Sequence, residues 1–132
     1  MKITDHFDST EFACKDGTQV PTELLGNLRM LCAALEVLRA ELGKPIGIMS
    51  GYRTKAYNDK CGGAPNSRHV RADAADIQVA GVSPDVVADT CIRLAKEGRI
   101  APGGIGRYLK WTHLDVRGVA ARWDNRRSGK RG

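Results

Sequence analysis

Six leucines, Leu24, Leu28, Leu31, Leu35, Leu38 and Leu42, recur at helical spacing and form one apolar stripe. Pro21 suits a first helical turn, and Gly43 and Pro45 follow the stripe, so the pattern predicts a helix over residues 21–42. Such a helix is roughly 33 Å long at 1.5 Å per residue. The same leucines would suit a coiled-coil seam, but one helix of this length beside strand-like segments is better satisfied by packing on a sheet. A chain of 132 residues with 42% hydrophobic and 27% charged residues has room for one core. The expected organisation is therefore a single domain over residues 1–125, followed by a basic, disordered tail over residues 126–132.

Strand signals fall at residues 45–50, at Asp76-Ile77-Gln78-Val79, at residues 103–108 and at Trp111-Thr112-His113-Leu114-Asp115-Val116-Arg117. Thr54 is placed to cap a short helix reaching Asn58 or Lys60, and residues 61–66 read as a loop. Ser83-Pro84-Asp85 starts a second amphipathic helix carrying Val87, Cys91 and Leu94 up to Gly98. These elements predict an α+β fold: a small, mainly antiparallel sheet with helices packed on one face and a polar site on the other. The glycines of 103–106 suggest a strand that substrate approaches closely, with Tyr108 bordering the site. The N-terminal stretch reads as loop, with His6 solvated and Phe7 and Phe12 packing it onto the domain.

Alternation then selects the polar residues. In 111–117, Leu114 and Val116 face the core while His113 and Asp115 share the opposite face, and Ile77 and Val79 put Asp76 on a polar face in the same way. Upstream, Ser67-Arg68-His69-Val70-Arg71-Ala72-Asp73-Ala74-Ala75-Asp76 separates a histidine from Asp76 by a run containing small residues. If the two strands are neighbours, His69, Asp76 and His113 form a His/Asp/His zinc set with one position left for water, as in catalytic sites. Asp73 is the competing carboxylate; Asp76 is preferred because the strand that follows fixes its direction. Ser67 lies in no nucleophile elbow, so a hydrogen bond to substrate or to the ligand shell is the simpler role.

Ser-x-His followed by Asp at this spacing, the later His-x-Asp, and Ser50-Gly51-Tyr52-Arg53 together resemble the zinc D-Ala-D-Ala carboxypeptidase family. That family includes vancomycin-resistance dipeptidases and phage endolysins that cut peptidoglycan stem peptides. The similarity runs from about Phe12 to Trp123. It implies zinc bound by His69, Asp76 and His113, and it places Arg53 at the position of the arginine that faces substrate. A guanidinium there suits a substrate carboxylate or a developing oxyanion. The implied activity is hydrolysis of stem-peptide bonds, of carboxypeptidase or endopeptidase type.

Two positions depart from the family pattern. Ala72 stands where glycine is usual, which fits a turn whose φ is negative here. Lys110 stands three residues before the last histidine, where many members carry the acidic general base, and a charged lysine accepts no proton. Asp115 then has three open roles: the base, a carboxylate that orients a ligand histidine, or itself a ligand with His113 as the base. A catalytically weak or inactive zinc-containing domain that binds cell wall is the alternative function.

Other classes are weaker. The net charge of +6 is concentrated after Asp115, but aromatics are only 5% and no nucleic-acid motif accompanies the charge. No specific nucleic acid and no membrane insertion are expected, and the protein is read as a monomer. The first residues lack the basic-then-apolar pattern of a secretory signal, which predicts synthesis in the cytoplasm and action on the cell wall, with phage or prophage delivery as one route. Of four cysteines, Cys32 and Cys91 lie on helix stripes as buried hydrophobes, while Cys14 and Cys61 lie in loops with one optional disulfide between them.

Overall fold

The computed structural model describes residues 1–127. The chain opens with two short antiparallel strands, β1 (Lys2–Thr4) and β2 (Phe7–Asp8), and a 3-10 turn, Ser9–Phe12, capped by Asp8. A second 3-10 turn, Thr22–Leu24, leads into α1 (Leu25–Leu42), which ends at Gly43 in the left-handed conformation. Then come β3 (Gly47–Ser50), α2 (Lys55–Lys60), a 3-10 helix Arg68–Arg71 and β4 (Ala74–Gln78). The last part holds α3 (Pro84–Lys96), β5 (Gly104–Arg107), β6 (Thr112–Asp115) and β7 (Ala121–Asp124).

The helices start where side chains satisfy their free amides. Thr54 accepts from the Tyr57 amide at the head of α2, and Ser83 accepts from the Val86 amide at the head of α3, whose first residue is Pro84. Leu28, Leu31, Leu35 and Leu38 of α1 are fully buried and share one core with Val87, Cys91 and Leu94 of α3. Ile77, Ile105 and Leu114 complete that core from the sheet.

Strands β3 to β7 form one sheet in the order β3-β4-β6-β5-β7. All neighbouring pairs are antiparallel except β5 with β7, which is parallel. The register places Ser50 opposite Asp76, Asp76 opposite His113, His113 opposite Gly106, and Gly106 opposite Trp123. One row of residues thus crosses all five strands, while the neighbouring row, including Ile77 and Leu114, points into the leucine core. The architecture is the α+β one expected.

Some local expectations are corrected. Pro21 lies ahead of a 3-10 turn, and the α-helix itself begins four residues later. The N-terminal stretch is a small hairpin held by His6, whose amide and Nδ1 both meet the Glu36 carboxylate of α1, at 2.8 and 2.7 Å. Ala72 has φ +58°, not a negative value, and its buried methyl occupies the left-handed turn that glycine adopts at no steric cost. The strand glycines admit protein rather than substrate: a Cβ on Gly106 would lie 2.4 Å from the Trp123 ring, and one on Gly104 would lie 2.4 Å from Asp115 Oδ2. The tail expected to be disordered lies largely outside the described residues; within them, Arg126 pairs with Asp85 at 3.0 Å.

Candidate metal centre

Three elements bring three buried acceptors together. Asp76 and His113 are cross-strand partners on β4 and β6, and side chains so paired lie within a few ångströms of each other. His69 arrives from above, on the 3-10 helix that Ser67 caps and that Ala72 closes by turning the chain into β4. His69 Nε2 lies 3.3 Å from Asp76 Oδ1, and His113 Nδ1 lies 3.4 Å from the same oxygen. The three atoms sit within 4.8 Å of one another, and all three residues are buried.

Hydrogen bonding determines what these atoms are. His69 Nδ1 lies 2.8 Å from the carbonyl oxygen of Gly51, which can only accept, so Nδ1 carries the proton and Nε2 keeps its lone pair. His113 Nε2 lies 2.7 Å from Asp115 Oδ2, which likewise leaves Nδ1 bare in the neutral ring, the form in which a histidine binds metal. Asp76 Oδ1 is an acceptor by nature. None of His69 Nε2, Asp76 Oδ1 and His113 Nδ1 has a hydrogen-bond partner, though each is buried. Leaving a buried polar atom unsatisfied costs about 1–3 kcal/mol, and here three acceptors converge with no donor between them. A cation satisfies all three at once. Tetrahedral zinc, with bonds to nitrogen and oxygen of about 2.0–2.1 Å, sets its ligands about 3.3 Å apart, which the separations of the two histidine nitrogens from Asp76 Oδ1 match.

The groups around the cluster hold it in shape. Arg53 is fully buried; its Nη2 donates to Asp76 Oδ2 at 3.3 Å, its Nη1 to Asn58 at 3.1 Å and its Nε to Ser50 at 3.2 Å. Its guanidinium therefore faces the oxygen of Asp76 that points away from the cluster. Gly51 delivers its carbonyl to His69 by lying so close to Phe12 that a Cβ would meet the Phe12 Cα at 2.7 Å. Asp115 accepts from the Gly104 amide and from Arg117 as well as meeting His113. Asp73 instead pairs with Arg68, and Lys110 is exposed and lines a separate apolar cleft with Ile46 and Val87.

Charge follows the same arrangement. Burial pushes the Asp76 carboxyl up, but His69 and His113 more than offset this and hold it well below the usual carboxylate range. Burial likewise opposes ionisation of Asp115, and its bonds to His113 and Arg117 outweigh that, so its carboxyl also sits far below its ordinary value. For His113, burial acts downward but Asp115 and Asp76 raise the pKa above the ordinary imidazole value. Burial dominates at His69 and lowers it.

Residues 5–115 match the family model for peptidase M15. The chain belongs to the peptidase M15 family. Membership makes this M15 protein a metallopeptidase of the kind that acts on peptidoglycan, and His69, Asp76 and His113 form a cluster that could hold a metal ion. Comparison with curated proteins returns no match. No described helix is long and apolar enough to cross a membrane.

A cleft of about 550 Å³ opens onto His113 of the M15 chain, between the 62–68 loop and the β5–β7 side of the sheet. Ser67, Arg68, Tyr108, Arg117, Trp123 and Asn125 line it. Ser67 Oγ accepts from the His69 amide at 3.3 Å, and the Tyr108 hydroxyl accepts from Trp123 Nε1 at 2.9 Å. Trp123 and Arg117 line the candidate site, and the sequence alone did not single them out for it. The Trp123 ring lies against His113 with centroids 4.8 Å apart, and the Arg117 guanidinium lies 5.3 Å above that ring. The alternation in Ala121-Arg122-Trp123-Asp124 was the available signal for β7.

Proposed function

We propose that the protein is a zinc-dependent peptidase that hydrolyses peptide bonds in peptidoglycan stem peptides, as a D-Ala-D-Ala carboxypeptidase or an endopeptidase. The convergence of three buried acceptors without a donor carries this reading. His69 through Nε2, Asp76 through Oδ1 and His113 through Nδ1 would hold the zinc. Zinc, when bound, supplies Lewis-acid polarisation of a scissile carbonyl and makes water nucleophilic near neutral pH.

The chain's own residues supply orientation. Arg53 fixes the Asp76 carboxylate by holding its second oxygen, and Asp115 fixes the His113 ring through Nε2; of the roles open to Asp115, its full set of donors favours this one. Tyr108, whose hydroxyl oxygen accepts from Trp123, keeps its proton for a substrate carbonyl at the cleft wall. Ser67 holds the loop that carries His69 and forms the opposite wall.

A second reading has its own observation: among the described residues lining the cleft there is no carboxylate, and Lys110 stands away from it. This favours a zinc-containing domain that binds cell wall with little or no turnover. Mass spectrometry of sacculi and D-Ala-D-Ala peptides after digestion by zinc-analysed protein separates the two. Products from the wild type that vanish in His113→Ala establish the peptidase. Retained muropeptide affinity with no product at any pH establishes the binder.

A further inference from the structure

We infer that Arg117 is a positioning residue for the metal centre, acting through Asp115 on His113; the inference rests on the proposed metal-binding reading. An imidazole can carry its single proton on either nitrogen, and His113 serves as a ligand through Nδ1 only while the proton stays on Nε2. Asp115 is the group that keeps it there, at 2.7 Å. A carboxylate does this well only if it cannot swing about its own side-chain bonds.

Arg117 removes that freedom. Its Nε donates to both Asp115 oxygens, at 2.9 and 3.1 Å, its Nη2 donates to Oδ2 at 2.7 Å, and its backbone amide donates to Oδ1 at 3.1 Å. The planar fork matches the plane of the carboxylate, which a lysine ammonium cannot do. The guanidinium is itself confined, since it lies over the Trp123 ring, which packs tilted against His113. β5 is built around the pair: the Gly104 amide donates to Asp115 Oδ1 at 2.8 Å, and a Cβ there would lie 2.4 Å from Asp115 Oδ2 and 2.8 Å from Arg117 Nη2. An ordinary surface ion pair contributes little. This one differs because Asp115 is wholly buried while Arg117 reaches it from the cleft, with about a quarter of its side chain exposed.

The test uses the full chain and zinc alone. Zinc affinity is measured by competition with a chelator, and the His113 tautomer by long-range ¹H–¹⁵N correlation, in wild type, Arg117→Met, Arg117→Lys and Asp115→Asn. Melting in excess chelator checks that each variant is folded. Arg117→Met is expected to weaken zinc binding about 10- to 100-fold, in the range for outer partners of ligating histidines, and to populate the second His113 tautomer. Arg117→Lys is expected to recover part of the loss. The double variant Arg117→Met/Asp115→Asn is expected to bind no more weakly than Asp115→Asn, because both act along one path. Unchanged affinity with a single tautomer in Arg117→Met overturns the inference, as do losses that simply add in the double variant. Wild-type protein that takes up no zinc overturns the metal reading beneath it, a result distinct from either.

Discussion

Removing the Asp76 carboxylate should destabilise the fold even where no metal is present. In Asp76→Ala the protein loses a zinc ligand, but it also loses the negative charge 3.3 Å from the guanidinium of Arg53, in a pair whose side chains are 1% and 3% exposed. Deleting one member of a buried ion pair costs about 3–5 kcal/mol, because the remaining charge keeps its desolvation penalty and loses its partner. For a domain of this size each kcal/mol corresponds to about 4 °C in Tm, so the expected fall is about 12–20 °C. The measurement is thermal unfolding followed by circular dichroism in excess chelator, which removes any contribution from metal in both proteins. His69→Ala under the same conditions is expected to fall less, since it removes a buried ring and its bond to the Gly51 carbonyl but leaves the Arg53–Asp76 pair intact. Arg53→Met/Asp76→Ala should fall less than the sum of the two single variants. A Tm for Asp76→Ala within about 3 °C of wild type in chelator would refute the claim that this pair is an energetic unit.

Three further outcomes are expected. Chelation of wild-type protein should lower Tm by about 10 °C, from roughly 2.7 kcal/mol of stabilisation at a metal concentration a hundred times Kd, and His113→Ala should show no such shift on scanning calorimetry. Native thiol titration should modify Cys61 first and leave Cys32 and Cys91 untouched, because burial pushes the latter two thiols up to about 12; rapid labelling of all four without denaturant would contradict this. At Ala72, relief of left-handed strain is balanced by a lost buried methyl and a freer unfolded chain, so Ala72→Gly should change stability by less than about 1 kcal/mol, whereas Ala72→Val should cost more than about 2 kcal/mol in urea unfolding.

Much of the sheet was readable because alternation is local. Leu114 and Val116 against His113 and Asp115, and Ile77 against Asp76, declare their faces from sequence alone, and the structure pairs Asp76 with His113 as those faces require. The turn at Ala72 was not readable, since a left-handed φ at alanine contradicts the residue's own preference and is imposed by the chain reversal between His69 and β4. Nor was the burial of Arg53, whose neighbours Ser50, Asn58 and Asp76 come from separate elements. Trp123 escaped for the same kind of reason: it reaches His113 only because Gly106, on an intervening strand, has no side chain. Contacts that depend on an absence elsewhere leave no trace near the residue that makes them.

The row of residues that crosses the sheet has a consequence for folding. A slip of β4 by one residue would turn Ile77 toward the two imidazoles and bury the Asp76 carboxylate among the leucines of α1. The error would be doubled, an apolar group at the ionic cluster and a charge in the core, so the competing register is penalised from both faces of one strand. A cation that recognises His69, Asp76 and His113 together can engage only the correctly aligned sheet, and binding it would draw misaligned chains back toward that alignment. The metal centre would then act as a proofreader of strand pairing as well as a place for chemistry.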